Sequence, residues 1–199
     1  MSVGATMSHG STRYDLLARL LEYPGPNLAR LAAGAAGERP GDKGLAAFAA
    51  WAEAADPRGA EELYTRAFDL HAPCCLEVGW QLFGESYKRG SFLVRLRQAA
   101  RRHGVGEGTE LPDHLIIVLR LLGRLGDDED PRGLVEEAIV PALVKMQAGL
   151  DAAGDDFAPY RALLAAVQGR LCADFGVAPA PAAHRPEAAR LPVLHEVLP

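Results

Sequence analysis

The sequence has few of the β-branched residues from which pleated sheets are usually built. Val, Ile and Thr number 12, 3 and 4 among its 199 residues, whereas Ala and Leu number 35 and 28. Ala and Leu have high helix propensities, and β-branched side chains favour strands. The composition therefore argues against a sheet-based fold and predicts an all-α protein.

The sequence also lacks an excess of positive charge. Its 21 Lys and Arg residues face 26 Asp and Glu residues, which gives a net charge of −5 at pH 7. Proteins that bind nucleic acids need a basic surface to neutralise phosphates, so no nucleic-acid partner is expected. The same balance suits a partner that carries basic side chains.

Long apolar runs and disulfide-forming cysteines are scarce as well. A membrane-spanning helix needs about 20 apolar residues, but the longest candidate, Leu115 to Leu122, is short and contains Arg120. The N-terminus has no basic patch followed by an apolar run, and its three cysteines do not form a disulfide framework. We therefore expect a cytoplasmic protein without stable membrane insertion.

Apolar residues recur with the period of amphipathic helices along most of the chain. Pro and Gly residues and Asp caps separate the helical segments. The length suits one domain, and we expect a single-domain bundle of about seven to ten helices over residues 12–175. Residues 1–11 are predicted to form a disordered leader, and residues 176–199, rich in Ala and Pro, a flexible tail.

The expected helical segments are 12–23, 27–33, 42–55, 56–71, 75–103, 111–125, 133–150 and 157–175. The Gly- and Pro-rich stretch 34–44 is predicted to be a loop. Gly84 and Ser86 leave open whether the fifth segment is one helix or two, and Pro141 predicts a bend. The sixth segment is apolar nearly all round, which predicts a central buried helix.

The segment Glu110-Leu111-Pro112-Asp113-His114 stands at the predicted start of that central helix. Pro112 is expected in its first turn, with the acidic residues at the positive end of the helix dipole. Adjacent helical residues point about 100° apart, so an Asp113–His114 dyad is not supported. Glu110 and His114 are spaced to pair if the helix starts early enough. A plain helix start is the simplest interpretation.

A second segment, Gly84-Glu85-Ser86-Tyr87-Lys88-Arg89-Gly90, contains two glycines and a pair of oppositely charged residues. Glu85 and Arg89 have the i, i+4 spacing that stabilises a helix by about 0.2–0.5 kcal/mol. Each Gly costs about 1 kcal/mol against Ala inside a helix, which suggests close packing or a kink. Trp80 and Phe83, upstream at helical spacing, are expected in the core. A structural role is again the simpler interpretation.

Other candidate sites are weaker. His71, Cys74 and Cys75 lie close together in sequence, but no second ligand pair completes a zinc site. The glycine-rich stretch 104–108 follows no strand, and the acidic helix start after it repels phosphate, which argues against a nucleotide loop. We therefore expect no cofactor, no metal and no catalytic residue.

Three ordered motifs together resemble one protein family. They are Tyr64-Thr65-x-x-Phe68-Asp69-Leu70, Gly84-Glu85-Ser86-x-x-Arg89-Gly90 and Glu110-Leu111-Pro112-Asp113-His114-Leu115. In this order they resemble the NarJ-like family, the assembly chaperones of respiratory nitrate reductase and related molybdenum oxidoreductases, within the wider TorD/DmsD group. The resemblance covers residues 12–175, and its most specific part is residues 63–125.

The resemblance implies an all-α chaperone and not an enzyme. Such proteins bind the catalytic subunit of a molybdenum oxidoreductase through its N-terminal segment and hold it for insertion of the molybdenum cofactor. The residues implied in binding this client peptide are Phe83, Glu85, Tyr87, Arg89, Glu110, Pro112, Asp113 and His114. A peptide that is first basic and then apolar can lie as a helix in a groove, with its arginines on acidic residues at the mouth.

The chain departs from the family pattern at two places. Gln81-Leu82-Phe83 stands where chaperones of the enteric nitrate reductase carry His-x-His, and Ile116 replaces a usual proline. This variant resembles chaperones for relatives of nitrate reductase that act on other oxyanions or on sulfides.

Two other functions stay open, a helical adaptor without a molybdoenzyme client and a small enzyme that uses Glu110, Asp113 and His114. The oligomeric state, monomer or dimer, also stays open.

Overall fold

The computed structural model describes residues 9–69, 72–106 and 108–179 of the chain. These residues form an all-α domain, which confirms the predicted fold class. The helices are α1 (His9–Leu20), α2 (Leu28–Glu38), α3 (Lys43–Ala54), α4 (Pro57–Phe68), α5 (Val78–Phe83), α6 (Tyr87–Arg102), α7 (Leu115–Leu122), α8 (Pro131–Leu134), α9 (Val140–Ala153) and α10 (Ala158–Phe175).

Helix α7 lies in the middle of the core. All of its residues except Arg120 are buried, which confirms the predicted central helix. Each large apolar side chain so buried contributes roughly 1.5–3 kcal/mol relative to exposure. Helices α1 and α6 pack against α7, α10 packs against α3 and α9, and α5 packs against α6 and α9.

Aspartate caps fix the starts of two helices. Asp42 accepts a hydrogen bond from the backbone N–H of Leu45 at 3.1 Å, and Asp56 accepts one from Gly59 at 3.0 Å. Such caps contribute about 1 kcal/mol each. The predicted start at Asp56 is confirmed, and Pro57 lies in the first turn of α4.

Helix α2 extends beyond its predicted end. It continues through Gly34 and Gly37 to Glu38, so the prediction of a loop over residues 34–44 is largely wrong. The helix buries a stripe of small and apolar side chains at helical spacing, and this burial outweighs the unfavourable propensity of glycine. The stripe consists of Leu28, Ala32 and Ala35.

A π-helical turn precedes Pro141, where the sequence predicts a bend. The helical stretch that starts with α8 widens at Val135–Ile139, where the N–H of Val140 bonds to the carbonyl of Val135. The wide turn lies directly before the proline, whose ring and missing N–H do not fit a regular helix interior.

The long segment predicted over residues 75–103 is two helices. Helix α5 starts at Val78 and ends at Gly84, whose φ of +59° lies in the left-handed region that favours glycine. Helix α6 starts at Tyr87, after the non-helical residues 84–86. The prediction that Trp80 belongs to the core is wrong, since 44% of it is exposed. The side of α5 that faces the core carries Val78 and Leu82 instead.

Helix α7 starts later than predicted. Its first residue is Leu115, and His114 is the N-cap, with Nδ1 accepting from the N–H of Ile116 at 3.3 Å. Pro112 precedes the cap, so the prediction that it lies in the first helical turn is wrong. The N–H of His114 bonds to the carbonyl of Leu111 at 2.9 Å and closes a separate turn before the helix.

The two ends of the domain differ in part from the predicted boundaries. Helix α1 begins three residues before residue 12, so residues 9–11 of the expected leader are helical. Helix α10 and its end at Gly176 agree with the predicted last helix, and Val177 is still buried. The rest of the predicted leader and tail, residues 1–8 and 180–199, lies outside the described residues, as do Leu70 and His71. No helix in the described ranges has both the length and the apolar character needed to cross a membrane.

Candidate partner-binding site

The third motif is held by backbone pairing against the residues that precede α5. The N–H of Val78 donates to the carbonyl of Asp113 at 2.8 Å, and a second bond of the same length lies on the other side of His114. The two bonds form an antiparallel bridge between Glu77 and His114. The backbone pairing therefore holds Glu77 next to His114.

A cavity of about 490 Å³ opens beside this bridge. Its walls come from the ends of α1 and α4, the residues before α5, the loop before the third motif, and α7. We call it the acid-lined cavity because its side chains are mainly acidic and aromatic. The acidic ones are Glu22, Asp69, Glu77 and Glu110, the aromatic ones Tyr23, Tyr64 and Phe68, and the other lining residues Leu76, Gly106, Gly108, Thr109, His114, Ile116, Ile117 and Arg120.

One cation neutralises only part of this acidic lining. Arg120 pairs with Glu22, whereas Asp69 and Glu77 form no ion pair with another residue that the structure describes. Burial, followed by the four cavity carboxylates, raises the pKa of the Tyr64 hydroxyl above its ordinary value. The cavity therefore has a negative potential and is suited to a positively charged group.

His114 and Glu110 meet at the edge of the acid-lined cavity. Nε2 of His114 lies 3.8 Å from Oε2 of Glu110, across the turn before α7 and not along a helix. Burial lowers the pKa of His114 below its ordinary value, and the carboxylates of Glu110, Glu77 and Asp113 oppose this shift. The imidazole is therefore neutral at pH 7, so it does not offset the negative charge of the cavity.

Asp113 points away from the cavity and pairs with Arg89. The side chain of Asp113 is 0% exposed, and its Oδ2 lies 3.0 Å from Nε of Arg89. The guanidinium carbon of Arg89 lies 5.3 Å from the ring centre of Trp80. Gly79 makes room for this arrangement, because a Cβ there would lie 2.7 Å from the Asp113 carboxylate. The pair thus links the third motif to α6 and does not orient His114.

Arg89 therefore does not form the predicted helical pair with Glu85. Glu85 is exposed in the turn between α5 and α6, before the first residue of α6. The predicted i, i+4 pair is wrong because the chain is not helical at Glu85 and the guanidinium is held by Asp113. The second motif is thus tied to the third by the ion pair between Arg89 and Asp113.

Two aromatic residues lie apart from the cavity, although the family resemblance implies that they bind the client peptide. We call the eight residues implied in that binding the predicted set. Phe83 packs edge-on against Phe92 with ring centres 5.8 Å apart, and Tyr87 is 91% exposed at the start of α6. Neither contributes to the lining of the acid-lined cavity, which includes Glu110 and His114 from the predicted set. The structure thus divides the predicted residues between the cavity and the region around α5 and α6.

Of the vicinal cysteines, Cys74 is buried and Cys75 is half-buried. Burial raises the pKa of Cys74 above its ordinary value and that of Cys75 to about 11, so both are protonated at neutral pH and are weak nucleophiles. His71 lies outside the described residues. Within the described ranges no group of three or more His, Cys, Asp or Glu side chains is placed to hold a metal ion.

Several residues of the acid-lined cavity are absent from the predicted set. Some come from the first of the three motifs, which is the signal that could have identified them, namely Tyr64, Phe68 and Asp69. The others lie in segments far apart along the chain and in none of the three motifs, so only the fold brings them together. These are Glu22, Tyr23, Glu77 and Arg120.

Comparison with known proteins gives a partial match. Over 90 residues the chain is 34% identical to the nitrate reductase molybdenum cofactor assembly chaperone NarJ of Escherichia coli (strain K12), and equally to the protein of that name from Escherichia coli O157:H7. The match covers 45% of this chain and 38% of each relative. No protein-family model matches the chain. Over less than half of its length, the chain is thus similar to a molybdoenzyme assembly chaperone.

Proposed function

We propose that the protein is an assembly chaperone for a molybdenum oxidoreductase. It binds the N-terminal segment of the catalytic subunit before the molybdenum cofactor is inserted, and it catalyses no reaction itself. The observation that carries this proposal is the acid-lined cavity beside Glu110 and His114, two residues of a motif through which the chain resembles the NarJ-like chaperones. The partial similarity to NarJ supports the same role.

The acid-lined cavity fits an arginine side chain of the client peptide. A guanidinium in the cavity meets the carboxylates of Asp69, Glu77 and Glu110, which come from three separate parts of the chain. Hydrogen bonds between a guanidinium and a carboxylate are roughly twice as strong as those between neutral groups. The aromatic side chains of the cavity offer faces on which the planar guanidinium stacks.

The apolar part of the client peptide would bind to exposed apolar side chains. Leu111, directly after Glu110, is exposed, and so are Trp80 and Tyr87 in the region of the second motif. In this proposal the ion pair between Arg89 and Asp113 holds the second motif against the third, and neither residue contacts the client. A peptide with a basic part followed by an apolar part can bind both to the acid-lined cavity and to the exposed apolar side chains.

The client class is a molybdopterin oxidoreductase related to nitrate reductase. The chaperone acts in the cytoplasm, before the catalytic subunit is exported or docks on the membrane. A neutral His114 suits this role, since a protonated imidazole beside Glu110 would repel an arginine of the client.

Calorimetric titration with the N-terminal peptide of the catalytic subunit tests the proposal. We compare the wild type with the double variant Glu77→Gln/Glu110→Gln and expect the dissociation constant to rise by about tenfold or more, because hydrogen bonds to charged groups contribute about 1.5–3 kcal/mol each. Glu137→Gln removes an exposed carboxylate outside the cavity and is the matched control. Equal binding by the double variant, or equal binding of an unrelated basic peptide by the wild type, would contradict the proposal.

A further inference from the structure

A second cavity, of about 260 Å³, lies between α1, α2, α3 and α10 and shares no residue with the acid-lined cavity. Apolar walls with a few charged groups are typical of sites for small molecules. The apolar residues of its lining are Leu16, Leu17, Ala35 and Leu45, and the charged ones are Glu38, Arg39 and Arg170.

Arg39 contributes a buried hydrogen-bond donor that lacks an acceptor. Its Nη1 is buried and bonds to none of the described residues. The backbone of Arg39 is held at the end of α2, since its N–H donates to Ala36 at 3.2 Å and its carbonyl accepts from Asp42 at 3.1 Å. Buried donors in proteins are nearly always satisfied, because an unpaired one is costly. The described residues thus leave this donor without an acceptor.

Arg170 brings a second guanidinium to the same cavity. Only 9% of the residue is exposed, and its Nε lies 2.5 Å from Asp174, which also accepts from the hydroxyl of Tyr14 at 2.7 Å. This bond fixes the position of Arg170. The acidic residue of the lining, Glu38, is exposed, so it does not satisfy the buried nitrogen of Arg39.

We propose that this second cavity binds a small organic carboxylate. The carboxylate accepts hydrogen bonds from Arg39 and Arg170, and the alkyl part lies against the leucines of the wall. Guanidinium groups bind carboxylates through two parallel hydrogen bonds, which gives this ligand class an advantage over a neutral one. The cavity volume equals that of about nine molecules of liquid water, which suits a short-chain acid. The site shares no lining residue with the acid-lined cavity, so this proposal does not rest on the proposed function.

Calorimetric titration of the full chain with hexanoate tests this site. We expect saturable one-to-one binding, with 1-hexanol and inorganic phosphate each about tenfold weaker, because the former lacks the charge and the latter lacks the alkyl chain. Arg39→Met should weaken hexanoate binding by about tenfold. Arg30→Met, which removes an exposed arginine from α2, the helix that ends just before Arg39, should bind hexanoate like the wild type.

Arg39→Lys provides the second variant if circular dichroism shows that Arg39→Met does not fold. It keeps the charge but loses the planar fork, so we expect an affinity for hexanoate between those of the wild type and the Met variant. The proposal is overturned if the wild type does not bind hexanoate, if 1-hexanol or phosphate binds equally well, or if the folded Arg39 variants bind like the wild type.

Discussion

Gly79 leaves the space that the ion pair between Asp113 and Arg89 occupies. The Asp113 carboxylate lies where the side chain of any larger residue at position 79 would stand, and from there it reaches Arg89. A buried charge needs such a partner, since an unpaired carboxylate in the core is strongly unfavourable. The small size of residue 79 is therefore a condition for the ion pair that joins the second and third motifs.

The substitution Gly79→Ala should destabilise the protein. The new Cβ would lie 2.7 Å from the Asp113 carboxylate and 3.0 Å from the ring of Phe92, so we expect a loss of about 1–3 kcal/mol in the free energy of unfolding. Urea denaturation measures the change. Gly90→Ala in α6 is the control, because its Cβ meets no atom within 4 Å and should stabilise the helix by about 0.5–1 kcal/mol. A similar effect of both substitutions would contradict the steric explanation.

His114 should make the stability of the protein depend on pH. Burial lowers its pKa in the folded state, so the unfolded chain takes up the proton first as the pH falls below about 6.5. The contribution of His114 to the free energy of unfolding is therefore complete above that pH, decreases as the pH falls from about 6.5 towards the lowered pKa of the folded state, and is lost below it. The decrease should reach at most about 1.4 kcal/mol per pH unit.

His114→Asn isolates this contribution, because asparagine does not titrate and is a good N-cap for α7. Urea denaturation at pH 7.5 and 5.5 gives the loss of stability for each protein. The wild type should lose more than the variant between the two pH values. Equal losses of stability in the wild type and the variant would show that groups other than His114 cause the pH dependence.

At the scale of helices, the acid-lined cavity depends on the contact between α1 and α4. The Tyr64 hydroxyl of α4 donates to the carbonyl of Leu21, just after α1, at 3.0 Å. The same ring meets Tyr23, Phe68 and Tyr160 edge-on, so it is packed on several sides. Glu22 and Asp69, which follow α1 and α4 in the chain, both line the cavity beside this contact.

Tyr64→Phe tests this contact between helices. The substitution keeps the ring but leaves the Leu21 carbonyl without its donor, so we expect a loss of about 1–2 kcal/mol in the free energy of unfolding. Thermal and urea unfolding measure it. Tyr87→Phe removes a hydroxyl from a side chain that is 91% exposed and should leave stability unchanged. Equal stability of Tyr64→Phe and the wild type would show that the bond contributes nothing.

Helix positions could be predicted from the sequence where a local signal marks an end. Asp56 with Pro57 correctly predicted the start of α4, and Gly176 the end of α10, because capping is a local interaction. The predicted end of α4 near residue 71 was too late, since the helix ends at Phe68. The end of α2 and the outward position of Trp80 could not be predicted in this way. Both depend on which face the rest of the molecule covers, and local propensity contains no information about that.

At the scale of the whole molecule, the candidate site combines local motifs with distant residues. Glu110 and His114 could be proposed from the sequence because they lie four residues apart in one motif. Glu22 and Glu77 could not, since they are 55 residues apart in the chain and face the same cavity only after α1, α4 and α7 have packed. Of the four carboxylates that line the cavity, Asp69 and Glu110 belong to the motifs, whereas Glu22 and Glu77 are brought to it only by the fold.

The metal content of a co-purified client tests the chaperone role most directly. The tagged chain is isolated from cells that produce a molybdenum oxidoreductase, and the molybdenum bound to the captured catalytic subunit is measured by mass spectrometry. We expect the chain to retain the catalytic subunit without molybdenum and to release it when the cofactor is supplied. Capture of the fully loaded enzyme, or failure to capture any catalytic subunit, would contradict the proposed role.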